Sequence, residues 1–448
     1  MHSRTEEFLS DPVLPLLVRM SAPNTIAFFV QAIVVLTEVW FISKLGTTSL
    51  AAVALAFPII MLTQQMAFGA LGGAVTSSIA RSLGNRDKEK AEKLLWHSLV
   101  IASCGGLLFF SIFLIGGEIL LRVLGGSGLL LEESLSYCLI FLSGAVLIWL
   151  SGTLSAALRG MGNMRFPALV MIIGSGIQIT LGGGLILGWF GMPKLGLVGA
   201  PLSAIFTGAF TALLMVLKLL HTSSEVQLRL SQLSFKKELF SDIFSVALPA
   251  SLAPIFTVGT ILALTGLVGQ FGDSALAGYG IGSRIEFLMI PLVFGIGSAM
   301  TTIVGTNIGA KKIERAEKIG WVGGSFAGIF SGIIGLILAL TSNHWIHFFA
   351  TDQATYLVTK QYIEIVGLCF AFQGLGLSLY FASQGANAMR WPILATIARF
   401  IVAAIGGWVA VNYLSSGLVG VFYSAATAMT LFGLMLVISL KMGAWRNS

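Results

Sequence analysis

The chain has 448 residues, of which 56% are hydrophobic and only 10% charged. A soluble domain carries roughly 25% charged residues, so this composition excludes a soluble fold. The net charge of +7 follows from a skewed distribution of Lys and Arg between loops, and a nucleic-acid partner is not needed to account for it.

The N-terminal segment, residues 1–11, is polar with Glu6, Glu7 and Asp11. It lacks the basic start and small-residue cleavage site of a signal peptide and is expected to be retained. Twelve apolar stretches follow, each long enough as a helix to cross about 30 Å of hydrocarbon. They run approximately over 14–42, 51–80, 95–121, 134–158, 167–190, 196–220, 243–270, 275–308, 319–348, 358–386, 392–413 and 417–440. The longest polar connection, 221–242, separates the first six from the last six, and its segment 235–240 (FKKELF) is expected to form a short helix on the inner membrane surface. The expected organisation is an N-terminal lobe over 1–220, a linker over 221–242 and a C-terminal lobe over 243–448.

The two halves repeat each other. Residues 45–55 (LGTTSLAAVAL) reappear as 271–281 (FGDSALAGYGI), 226 positions on, and Pro23 returns as Pro249 at the same offset. Residues 84–93 (GNRDKEKAEK) return as 309–318 (GAKKIERAEK), and 158–167 (LRGMGNMRFP) as 383–392 (SQGANAMRWP), both at 225. A duplicated and fused gene is the simplest source of such an offset. Six spans is an even number, so both copies enter the membrane from the same side. The expected fold is all-α, with twelve transmembrane helices in two six-helix lobes related by a pseudo-two-fold along the membrane normal.

Basic residues set the orientation, because they collect in cytoplasmic loops. With the N-terminus inside, 20 Lys and Arg fall in cytoplasmic segments, four (Lys44, Arg122, Lys194, Lys360) in outer loops and two (Arg284, Arg399) in spans. Both termini are expected to be cytoplasmic, in a bacterial inner membrane. Cys104, Cys138 and Cys369 all fall in spans, where they read as small packing residues rather than a disulfide framework. The triplet Gly182, Gly183, Gly184 reads as a place of close helix approach.

Polar residues inside spans are costly and point to function. On the first span Asn24, Gln31 and Glu38 are spaced by seven, which aligns them on one helical face. The competing reading for Glu38 is a carboxylate snorkelling to the outer surface or bonded for packing alone. Arg284 and Glu286, two apart, do not share a helix face, and Glu364 and Arg399 are available as partners in a structural charged network. Glu118 and His97 lie near span ends and are expected to snorkel. Phe57, Met61, Met66, Phe256, Thr257 and Met289 are expected to line a substrate cleft, since flexible Met and flat rings suit varied ligands; most of the 31 Phe in this chain nevertheless face lipid or neighbouring helices.

Residues 37–46 (TEVWFISKLG), followed by 49–53 (SLAAV), resemble the first-helix signature of the multidrug and toxic compound extrusion (MATE) transporters. Residues 158–162 (LRGMG), 196–200 (GLVGA) and 280–309 extend the resemblance over nearly the whole chain. The resemblance implies a two-lobed secondary antiporter that expels amphipathic, often cationic drugs or metabolites in exchange for H⁺ or Na⁺, with no cofactor, acting as a monomer on small molecules within the bilayer. Glu38 then falls where the family's first-helix cation-binding Asp stands, and Gln178 where the fifth helix usually has Asn. Gly182 replaces the family's second Asp, Ala204 its sixth-helix Thr, and Thr257 stands about where NorM-type members have a Glu; Arg284 and Glu286 resemble an Arg-x-Glu often seen in the eighth helix. Na⁺ needs several oxygen ligands, whereas a proton needs one desolvated carboxyl that titrates near the working pH. A lone Glu38 beside Gln178 therefore favours H⁺.

Other classes fit less well. Residues 125–128 (GGSG) resemble a nucleophile motif but sit in an outer turn, and His344 and His347 lack a third metal ligand. A flippase of a lipid-linked precursor is the stronger rival, yet it calls for several basic residues inside the cavity, and the first six spans contain none away from their cytoplasmic ends. A passive channel suits the repeated lobes and their embedded acid less well than alternating access does.

Overall fold

The computed structural model describes residues 4–221, 225–286, 289–350 and 352–446; residues 222–224 of the expected linker and 287–288 of the expected eighth span lie outside that set. The described residues form helices and connections, with no strand among them. A short helix α1 (Arg4–Ser10) precedes α2 (Val13–Ser43), α3 (Thr47–Gly84), α4 (Lys88–Val123), α5 (Gly128–Ser143), α6 (Ala145–Gly160), α7 (Arg165–Leu187) and α8 (Gly199–Leu220). The second half contains α9 (Lys237–Gly269), α10 (Asp273–Glu286), α11 (Ile290–Gly309), α12 (Ile313–Leu340), α13 (Gln353–Val366), α14 (Phe370–Gly385), α15 (Arg390–Asn412) and α16 (Gly417–Lys441).

Among the described residues, eleven helical stretches are long and apolar enough to cross a membrane, and α5 with α6, bent by 49°, make a twelfth when counted as one broken span. The bend falls at Gly144, where a Cβ would lie 2.2 Å from the Ile205 side chain, so the close approach of α8 requires glycine there. The expected short helix over 235–240 does not form as a separate element. Lys237 already opens the long α9, and the linker instead makes a short 3-10 turn at Leu230–Gln232.

The chain divides into two compact units, Ile26–Ser251, and Met1–Thr25 together with Leu252–Ser448. Both cuts fall inside a long helix, α2 and α9, at positions 226 residues apart. Local anchoring accounts for the division. Asn307 and Arg315 donate to the Phe8 carbonyl at 3.1 and 3.2 Å, and Lys312 donates to that of Leu9 at 3.2 Å, which ties α1 to α11 and α12. Asn24 donates to Ser298 at 2.9 Å, fastening the first half of α2 to α11.

Within each unit the repeat survives as matching packing. α6 rests on α3, α4 and α8, while α14, its counterpart, rests on α11, α12 and α16. Thr76 donates its hydroxyl proton to the Ala156 carbonyl at 2.9 Å, and Thr301, 225 positions on, donates to that of Phe381 at 2.9 Å. Ser134 to Ala52 and Thr359 to Gly278 form a second matching pair, each at 3.2 Å. These side chains hold helix backbones closely together in a solvent that offers no competing hydrogen bonds.

One consequence is directly measurable. A Cβ at Gly385 would lie 2.5 Å from the Thr301 carbonyl oxygen, whose backbone cannot yield, whereas one at Gly182 meets Phe41 at 3.6 Å and the Ser203 hydroxyl at 3.8 Å, ordinary contacts. Gly385→Ala is therefore expected to destabilise by about 1–3 kcal/mol and Gly182→Ala to be neutral. Thermal midpoints of the purified protein in detergent check this; equal midpoints would refute the close approach.

Candidate functional site

The membrane-embedded carboxylate of Glu38 is held from two helices. The Tyr137 hydroxyl of α5 donates to Glu38 Oε1 at 3.0 Å, and the Gln178 amide of α7 donates to Oε2 at 3.3 Å. α5 is itself pinned to α3 through Ser134, one turn before Tyr137. A narrow recess, too small to hold a water molecule, adjoins the carboxylate, lined by Val34, Glu38, Phe41, Gln178, Ile179, Gly182 and Ser203. The Ser203 hydroxyl donates to the Ala200 carbonyl at 2.8 Å.

Aromatic rings close over this region. Phe41 is buried and meets Trp189 edge-on at 5.3 Å, and Trp189 also lies 6.2 Å from Trp40. The glycine triplet makes room for them: a Cβ at Gly183 would lie 2.7 Å from the Trp189 ring, and one at Gly184 2.3 Å from the Met192 sulfur. Close approach is thus the role of Gly183 and Gly184, while Gly182 simply leaves the recess without a second side chain.

The residues expected to act together are only partly brought together. Glu38 and Gln178 meet. Gln31 accepts a bond from Ser175 of α7 at 3.4 Å, about two turns lower on α2. Asn24 is separate, bonded to Ser298. The heptad spacing aligns the three on one face, but Asn24 and Glu38 are fourteen residues apart, about 21 Å of helix rise, too far to share one ion.

The expected four-membered charged network also separates. Glu286 accepts a bond from Tyr362 at 2.9 Å, and Tyr362 packs edge-on against Tyr279 at 5.5 Å. Arg399 acts on Glu286 electrostatically without a close salt bridge, and its guanidinium lies 5.6 Å over the Phe432 ring. Glu364 instead pairs with Lys360 at 3.8 Å and accepts from Ser342 at 3.4 Å. Arg284 is exposed and forms no salt bridge among the described residues. Only Glu364 found its charged partner on its own helix, whereas Glu286 and Arg399 engage side chains of other helices.

Among the expected cleft residues Phe57 is half exposed, Met61 and Met66 are half-buried, and Met66 lies in a π-helical stretch, Gln65–Leu71. Phe256 packs on Phe400 at 5.5 Å and Thr257 beside it is half-buried. Met289 is buried in the hydrophobic core with Tyr279, Tyr362 and Phe422.

Two expectations are corrected. His97 does not snorkel: it is fully buried, its Nδ1 bonds the Lys93 carbonyl at 2.7 Å, its Nε2 accepts from the Lys236 backbone N–H at 3.0 Å, and Phe240 packs on its ring at 4.5 Å. The linker folds back onto α4 and covers it. Cys104 is exposed rather than packed in the interior. Glu118 does reach outward, paired with Arg122 at 2.7 Å.

Tyr137 escaped sequence reasoning, although a signal was present. The repeat carries a tyrosine at this position in both halves, Tyr137 and Tyr362, 225 apart. Each is buried and donates to a membrane-embedded glutamate, but the glutamates come from different helices, Glu38 of α2 and Glu286 of α10.

Comparison with known proteins places this arrangement. The MatE family profile matches residues 23–182 and again 249–409, the same 226-residue offset. The FAD transporter of Shewanella oneidensis is 25% identical over 412 residues, 90% of each chain, and the probable multidrug resistance protein NorM of Thermotoga maritima is 24% identical over 440 residues, 96% of this chain and 93% of that one. A MOP superfamily transporter from Pyrococcus furiosus has the same fold, with a TM-score of 0.92 at 24% identity over 99% of this chain and 98% of that one. The family profile covers most of both halves of the chain, and this protein is therefore a member of the MatE family, a multi-pass membrane transporter and not an enzyme.

Proposed function

We propose that the chain is a secondary antiporter that exports amphipathic, often cationic drugs or metabolites in exchange for H⁺, by alternating access. Glu38 is the coupling group. The observation that carries this reading is the Glu38 carboxylate clasped by Tyr137 and Gln178, beside Gly182, which adds no second acid there. One carboxyl suffices to bind and release a proton, while Na⁺ requires several oxygen ligands. The relatives named as a FAD transporter and as a multidrug resistance protein support export of sizeable organic molecules. The protein acts as a monomer in a bacterial inner membrane with both termini cytoplasmic, as the distribution of basic residues favours. Phe57, Met61, Met66, Phe256 and Thr257 are the proposed substrate contacts.

Reconstituted vesicles with separately imposed gradients test the coupling. A pH gradient alone is expected to drive uptake or export of a fluorescent organic cation such as ethidium, and a Na⁺ gradient at equal pH is expected to drive none. Transport driven by Na⁺ alone would overturn proton coupling.

A further inference from the structure

The linker between the halves carries a feature that transport chemistry does not use. Residues 229–238 read RLSQLSFKKE. Adjacent residues of α4 pin both ends of the central hexapeptide: Trp96 Nε1 donates to the Arg229 carbonyl at 2.9 Å, and the Lys236 N–H donates to His97 Nε2 at 3.0 Å. Just upstream, the Gln227 N–H donates to the buried Glu92 carboxylate at 3.3 Å. Bonds that draw the two ends of a short segment to neighbouring residues force its middle outward as a compact loop.

What points outward is apolar. Leu230 is 77% exposed, Leu233 45% and Phe235 66%. Leu230 and Leu233 are three apart across a 3-10 turn, where positions three apart lie one above the other. Arg229, Lys236 and Lys237 flank them, all exposed, with Glu238 the one acid in the stretch. Two residues after Phe235 the chain enters α9, a membrane-spanning helix. A loop that ends where a spanning helix begins is at the level of the headgroups, where apolar side chains enter the acyl boundary and neighbouring cations attract anionic lipid.

We propose that loop 229–237 is a lipid-binding element that inserts Leu230, Leu233 and Phe235 into the cytoplasmic leaflet and selects anionic phospholipid headgroups through Arg229, Lys236 and Lys237. The bonds from Trp96 and His97 are the rigid mount that holds it in that posture.

Photocrosslinking of the full-length protein tests this. Benzoylphenylalanine in place of Phe235 keeps an aromatic side chain, and the protein is reconstituted in vesicles of phosphatidylglycerol and phosphatidylethanolamine in equal amounts. Illumination is expected to give lipid adducts by mass spectrometry, several-fold richer in phosphatidylglycerol than the bilayer, with far fewer from the same probe at Ser231. Lys236→Gln together with Lys237→Gln is expected to abolish the enrichment while lipid adducts persist. Adducts to protein, or none, would overturn insertion; lipid adducts without enrichment in the unmodified loop would overturn headgroup selection.

Discussion

Glu38→Gln is expected to reduce gradient-driven export to background while the protein still folds and binds substrate. Gln preserves the shape of the side chain and can still bond Tyr137 and Gln178, which contact the two carboxylate oxygens at 3.0 and 3.3 Å, but it cannot take up and release a proton. Glu38→Asp withdraws the carboxylate by one methylene and is expected to retain partial export with an altered pH profile. Tyr137→Phe removes one hydrogen bond of about 1 kcal/mol and is expected to slow export about fivefold. Counterflow of labelled substrate without a gradient, run beside gradient-driven export, separates loss of coupling from loss of binding. Export by Glu38→Gln at the unmodified rate would make Glu38 a structural residue and turn attention to Glu286.

The second large effect concerns folding. Asp242, near the start of α9, accepts from Arg81 of α3 at 2.5 Å and pairs with Lys90 of α4 at 2.8 Å; the Arg81 and Asp242 side chains are only 14% and 17% exposed. Arg81 also reaches Ser77 and Ser78. Asp242→Ala leaves two cations side by side without their counter-charge, one of them largely buried. Removing one partner of such a pair costs about 3–5 kcal/mol, a fall of about 3–5 °C in thermal midpoint for a chain of this length. Arg81→Met is expected to cost less, because Asp242 keeps Lys90. A midpoint unchanged by Asp242→Ala would show that solvent screens the cluster.

Several features were decided by the sequence alone. Low charge and repeated long apolar runs require spanning helices, because a backbone in hydrocarbon must satisfy its own hydrogen bonds. The 225- to 226-residue offset identified the duplication, and the structure repeats it down to Thr76 and Thr301. Glu38 was legible because an embedded acid is costly wherever it lies, and Gln178 was legible through resemblance.

Tertiary structure decided the rest, because it depends on which helix faces which. Spacing put Asn24, Gln31 and Glu38 on one face, but only packing sent Asn24 to Ser298 and Glu38 to Tyr137. Tyr137 is one buried tyrosine in an apolar helix and carries no local mark of its role. Linker residues that looked like a surface helix instead supply the N–H that His97 accepts, so a histidine near a span end became fully buried. Periodicity fixes the direction in which a side chain leaves its helix; its partner is fixed by the neighbouring helix that arrives there, and that is a property of the folded bundle alone.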